Sequence, residues 1–235
     1  VTAVQFDPAG GRLRVDQAAF ELLVEIARGG EGAGLAVAVL RDAGVVQEGG
    51  LHPLAAGAMR SVAAPVCRLR LDLTGEEGRP KAGDGWLAPD GTALLLDLPD
   101  EGLRDLVSVP TDLVPAVIAR LVRLGPRPQP KPEALTVASG PVARLLAADP
   151  DERQRAAAAL AAAVPMNGWR TWMAQMAWHD PRGSLTGRAV QVIDAEPGLF
   201  LVDDDGEWVT LWPTTPTAVW RLLTLLLPRT EELGR

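Results

Sequence analysis

The chain has 235 residues, 47% of them hydrophobic, with a formal net charge of −7 and a sequence pI near 4.9. That apolar share is enough for a folded core and argues against disorder, and an acidic balance with scattered arginines argues against a nucleic-acid partner, which needs clustered positive charge. A single cysteine, Cys67, excludes an internal disulfide framework and a cysteine-rich zinc site.

No apolar run approaches the ~20 residues needed to span a bilayer, and the N-terminus lacks the charged-then-apolar pattern of a secretory signal. The expectation is a cytoplasmic protein with no membrane partner. In chain order, Arg12 to Val15 reads as a short extended piece, after which Asp16 caps a helix with apolar Phe20, Leu23, Val24 and Ala27 at helical spacing. Gly29-Gly30 ends it. A second helix is expected from about Gly34 to Ala43, and a third from Pro53 to Ala64, with proline in the first turn.

From Cys67 to Thr74 the apolar residues Cys67, Leu69, Leu71 and Leu73 alternate with Arg68, Arg70, Asp72 and Thr74, the signature of a strand with one wet face. The stretch Thr74 to Gly85 is too long and glycine-rich for a tight turn and reads either as a tolerated insertion, as most such loops are, or as a recognition loop of mixed charge. Asp90-Gly91 then signals a hairpin between strands Gly85 to Ala88 and Thr92 to Leu98. A short strand, Leu106 to Val109, precedes a helix from Asp112 to Leu124.

Beyond a proline-rich linker, residues 127–132, much of this plan returns. Leu135-Thr136-Val137-Ala138 echoes Leu13-Arg14-Val15-Asp16, and Trp212-Pro213-Thr214 echoes Val109-Pro110-Thr111. Helices are expected from Gly140 to Ala147 and from Pro150 to Val164, the latter capped by Asp149. Strands are expected from Trp169 to His179, Gly187 to Asp194, Leu199 to Val202 and Glu207 to Trp212, followed by an aliphatic helix that stops at Leu227-Pro228. The predicted fold is α+β: two duplicated units, 1–126 and 133–235, with quasi-two-fold symmetry and a central antiparallel sheet flanked by helices.

Candidates for chemistry are few. His52 and His179 sit at element edges, Asp203-Asp204-Asp205-Gly206 reads as a hairpin turn because a calcium loop spaces its carboxylates at alternate positions, and Gly30 to Gly34 follows a helix where a dinucleotide fingerprint follows a strand. No nucleophile elbow, phosphate loop or zinc helix occurs, and there is no tyrosine. The three helices before a strand pair also suit a winged helix, but Arg12, Arg14, Arg28 and Arg41 form no basic stripe. The expectation is a protein without catalytic, metal or cofactor sites.

Six of the seven tryptophans, Trp169, Trp172, Trp178, Trp208, Trp212 and Trp220, crowd the second half. Trp172, Ala174, Met176 and Trp178 share one face of their strand, with Trp169 and Met173 on the other. That strand is packed on both sides, or part of it meets another protein, since Trp and Met favour interfaces.

The opening Leu13-Arg14-Val15-Asp16 helix, the Leu51-His52-Pro53-Leu54 helix start, the following strand and the closing Pro-Thr helix resemble the EspG family of type VII (ESX) secretion in actinobacteria. The run Gly187-Arg188-Ala189-Val190-Gln191-Val192-Ile193-Asp194, followed by Gly198 to Val202 and Trp208 to Leu211, is similar to that family's hairpin before its final helix. The resemblance implies a cytosolic chaperone, not an enzyme, that grips the apolar tip of a helical PE–PPE substrate with sheet residues, the loop after the second strand and the C-terminal helical bundle. Carried onto this chain, the partner-binding residues are Thr74, Glu76, Glu77, Arg79 and Lys81 in the loop, Trp172 and Met176 on the sheet, and Trp220, Leu223 and Leu226 in the last helix. A shorter, helix-poor second unit leaves both a PE–PPE-like and a WXG-type helical partner open, and the protein is expected as a monomer or homodimer. The alternative is a structural or regulatory adaptor of another complex that self-associates.

Overall fold

The structure is a computed structural model that describes residues 3–30, 35–76, 80–98, 102–131 and 133–234. Two short strands, β1 (Val4–Asp7) and β2 (Arg12–Val15), precede helices α1 (Gln17–Ala27), α2 (Leu35–Asp42) and α3 (Pro53–Ala63), with a small ladder of β3 (Val46–Gln47) and β4 (Gly50–Leu51) before α3. Strands β5 (Cys67–Gly75), β6 (Lys81–Ala88), β7 (Gly91–Asp97) and β8 (Arg104–Val109) follow, then a 3-10 turn (Thr111–Leu113) and α4 (Val114–Leu121). The second half contains β9 (Leu135–Ala138), α5 (Ser139–Arg144), α6 (Pro150–Leu160), β10 (Arg170–His179), β11 (Leu185–Ala195), β12 (Gly198–Asp204), β13 (Trp208–Thr214) and α7 (Pro216–Leu226).

The helix starts follow from local chemistry. The side chains of Asp16, Asp149 and Thr215 accept from the backbone N–H groups of Ala19, Asp151 and Ala218, each satisfying a donor that the first turn leaves free. Pro53, Pro150 and Pro216 stand in first turns, where a missing N–H costs nothing.

All strands except β3 and β4 join one 11-stranded antiparallel sheet in the order β1-β2-β8-β7-β6-β5-β10-β11-β12-β13-β9. Outward from the central β5–β10 pair, β6, β7, β8 and β2 on one side match β11, β12, β13 and β9 on the other. The pseudo-two-fold axis therefore passes between β5 and β10, where Arg70 faces Gln175 and Leu71 faces Ala174. Register supports the sequence repeat at the opening, because Leu13 pairs with Leu106 as Leu135 pairs with Leu211. At the close it shifts the match by two residues: Thr92 pairs with Val109 and the equivalent Leu199 with Thr214, so Val107, not Val109, is the counterpart of Trp212.

Three apolar clusters hold this sheet. On one face α4 and α7 pack side by side across the axis, and Val114, Ile118, Val122, Val219, Leu223 and Leu226 cover Leu69, Leu71, Trp172, Met176 and Val192. On the other face α1 to α3 cover Leu13, Val15, Leu95 and Leu106, while α5 and α6 cover Ile193, Phe200, Val209 and Leu211. One face of β10 is thus covered, with Trp172 turned to α4 and α7, while Trp169, just before the strand, packs on the α5–α6 side and Gln175 on that other face stays exposed.

Several element boundaries differ from expectation. β6 begins at Lys81, so the glycine-rich stretch expected as loop is strand from there on. Its glycines are room for leucines: a Cβ at Gly85 would lie 2.9 Å from both Leu69 Cβ and Leu94 Cδ2, and one at Gly83 2.9 Å from Leu96 Cδ2. α6 ends at Leu160 and not at Val164, and β1, β3 and β4, too short for a periodic signal, carry no expectation.

Trp172 is 2% exposed at the centre of the cluster shared by both units, so Trp172→Ala should lower stability by about 3–5 kcal/mol. Urea denaturation followed by far-UV circular dichroism measures this, with one transition expected for both halves.

A candidate protein-binding surface

The face carrying α4 and α7 does not expose every residue expected to touch a partner. Trp172 and Met176 are 2% and 1% exposed, and Leu223 and Leu226 are equally buried. They are corrected from contact residues to scaffold, because the helical spacing Val219, Leu223, Leu226 turns that stripe of α7 onto the sheet and shields the strand below. Trp220 lies off the stripe and is 40% exposed, as Leu225 is at 55%.

The larger aromatic surface lies on β13. Val209 and Leu211 point to α5 and α6, so strand alternation sends Trp208 and Trp212 to the side that carries α7, where each is 50% exposed. Leu201, paired with Trp212, is half-buried beside them. Trp208, Trp212, Trp220 and Leu225 therefore belong to one side of the second unit. On the equivalent strand of the first unit Val107, the counterpart of Trp212, is half-buried against the α4–α7 cluster, and Asp105, the counterpart of Thr210, pairs with Arg14 at 3.0 Å, while Arg14 also reaches Gln5. Trp208 and Trp212 are functional candidates that sequence reasoning missed, although Trp-Val-x-Leu-Trp on an outer strand carries the signal.

The expected loop is rooted firmly. Glu76 accepts from the Gly168 N–H at 2.6 Å, and its own N–H donates to the Trp169 carbonyl at 3.0 Å, which ties the end of β5 to the start of β10. Thr74 is buried, with no hydrogen-bond partner for its hydroxyl among the described residues, and Lys81 is exposed opposite Leu73. Glu77 and Arg79 lie outside the described residues.

On the opposite face, the strip between the two helical layers is charged, not greasy. Arg70 bridges Asp72 at 2.8 Å and Asp84 at 2.9 Å, and Arg104 joins Asp84 at 2.7 Å to Asp97 at 2.9 Å. Burial alone would raise the Asp84 pKa, but the hydrogen bonds and charges of Arg104 and Arg70 outweigh it and hold the carboxyl below its ordinary value.

The other candidate groups have structural work. His52 Nδ1 accepts from the Leu54 N–H at the start of α3, with its ring edge-on to Phe6, and the His179 carbonyl accepts from Gly234. Asp204 and Asp205 accept from the N–H groups of Gly206, Glu207 and Trp208 and so shape their turn. Among the described residues no group of three or more His, Cys, Asp or Glu side chains gathers as a metal site, and no helix is long and apolar enough to cross a membrane. Burial pushes the Cys67 thiol up to about 12.

No protein-family profile matches this chain, and neither does any curated protein. Among solved structures, the fold is similar to that of the Mycobacterium tuberculosis type VII secretion system chaperone EspG5, determined in complex with the PE25–PPE41 dimer. The TM-score is 0.62 at 13% identity, over 95% of this chain and 100% of that one.

Two outcomes are expected from this geometry. Cys67 in the folded chain should resist iodoacetamide at pH 8 and react only on denaturation, as read by mass spectrometry. A carboxylate held low in the folded chain adds stability above its unfolded pKa of ~3.9 and loses it as pH falls through the lower folded value. Asp84→Asn should therefore destabilise the protein at pH 7, and the gap from the parent should close as pH drops below about 4 in thermal melts.

Proposed function

We propose that this protein is a cytosolic chaperone or adaptor of type VII secretion that binds a helical secreted protein, PE–PPE-like or WXG-type, and keeps it soluble. The observation that carries this reading is the exposed tryptophans of the second unit, Trp208, Trp212 and Trp220, on a fold shared over 95% of the chain with a chaperone solved in complex with the PE25–PPE41 dimer. A secreted helical pair with an apolar tip self-associates unless that tip is covered, and rigid exposed indoles cover apolar surface at low entropic cost. The rooted end of β5, with Glu76 and Lys81, and the neighbouring Glu77 and Arg79 supply polar contacts that set orientation. Catalysis forms no part of this reading.

Co-expression with helical secreted proteins encoded beside it, followed by size-exclusion chromatography, should yield a stoichiometric complex. The Trp208→Ala/Trp212→Ala double variant should weaken that complex at least ~10-fold while keeping its circular dichroism spectrum. Full-strength binding by the double variant, or no complex with any such protein, would defeat the proposal.

A self-associating adaptor is favoured by one feature: the tryptophan-bearing β13 lies next to the edge of the sheet, with the four-residue β9 outside it. Light scattering of the isolated protein separates the two, since a homodimer lost on Trp212→Ala supports self-association through this flank.

A further inference from the structure

The pseudo-symmetry reveals a place that is filled in one unit and open in the other. In the first unit Cys67 pairs with Leu87, Leu87 with Thr92, and Ala88 with Gly91. In the second, Arg170 pairs with Asp194, Asp194 with Leu199, and Ala195 with Gly198. Cys67, Leu87, Ala88 and Gly91 are thus the counterparts of Arg170, Asp194, Ala195 and Gly198, and Gly91 and Gly198 share a positive φ, +147° and +131°.

Over the second unit this place is taken by the chain's own proline-rich linker. Arg127 grips Asp194 with two nitrogens at 3.0 Å each, alongside Arg170 at 2.5 Å from the same carboxylate. The linker backbone lies so close that a Cβ on Gly198 would stand 2.3 Å from the Pro128 carbonyl and 2.7 Å from Pro130 Cδ.

The segment after α7 does not take the equivalent path. Gly234 donates to the His179 carbonyl at 2.7 Å, Trp178 Nε1 donates to the Glu232 carbonyl at 3.0 Å, and Arg188 binds the carbonyls of Leu225 and Leu227 and the Glu232 carboxylate. These bonds hold it on β10 and β11. Between it and the start of β5 remains a groove of about 1160 Å³, with Val66, Leu87, Ala88 and Pro89 on one side and Leu227 and Leu233 on the other. Asp112 and Glu231 also line it, and among the described residues no lysine or arginine does.

We infer that this groove binds an extended, proline-containing segment of a partner protein, laid over the first unit as residues 126–131 lie over the second. Leu87 stands where Asp194 does, so the occupant carries an apolar side chain at the position of Arg127. The acidic wall of Asp112 and Glu231 selects a basic residue near its end. A polyproline-like segment suits such a groove because its conformation is already extended before binding.

The probe is a fluorescently labelled synthetic peptide copying residues 124–131 with the change Arg127→Leu, titrated against the full chain by anisotropy. Saturable binding with a Kd on the order of 100 µM or tighter is expected, weakened at least ~10-fold by Val66→Arg or Ala88→Arg in the protein and by replacing the peptide prolines with alanine. Circular dichroism confirms that the variants fold, and Ala88→Arg serves if Val66→Arg does not. Absence of saturation to about 1 mM, or equal binding to folded groove variants, overturns the inference. Trp208→Ala/Trp212→Ala should leave peptide binding unchanged, so this result and that for the helical cargo fail independently.

Discussion

The antiparallel pairing of β5 with β10 is the constraint on which the rest depends. It joins a six-stranded and a five-stranded half-sheet into one continuous platform. It also places Leu69, Leu71, Trp172 and Met176 side by side, so that α4 and α7 share one cluster and close over the seam together. Glu76 reinforces the join at one end by accepting from Gly168.

The pseudo-two-fold arrangement gives equivalent positions in the two halves, and the halves differ most at two of them. Where the first unit carries the half-buried Val107, the second carries the half-exposed Trp212, with Trp208 beside it on the same face of the strand. Where the second buries its hairpin under the linker, the first keeps a groove. Apolar patterning and register set the fold while outward residues vary more freely, which explains how a chain with 13% identity to a secretion chaperone shares that chaperone's fold.

The periodic elements were legible because burial on one face imposes a period. The alternation from Cys67 to Leu73 and the capped starts at Asp16, Asp149 and Pro53 all appear as strands and helices. The candidate site was less legible. Trp172 and Met176 look like an interface as much as a core, and only the packing of α7 over them distinguishes the two. Trp208 and Trp212 have the same composition and the opposite fate because their strand lies beyond the reach of that helix.

By itself the sequence determined the α+β class, the repeat and the direction in which each strand residue points, since these follow from local periodicity and capping. Tertiary structure alone decided which strands meet at the seam, which tryptophans remain in water and which of two equivalent hairpins is covered. Those outcomes depend on where distant segments such as residues 126–131 and 227–234 come to rest, and no local pattern encodes a contact between residues so far apart in the chain.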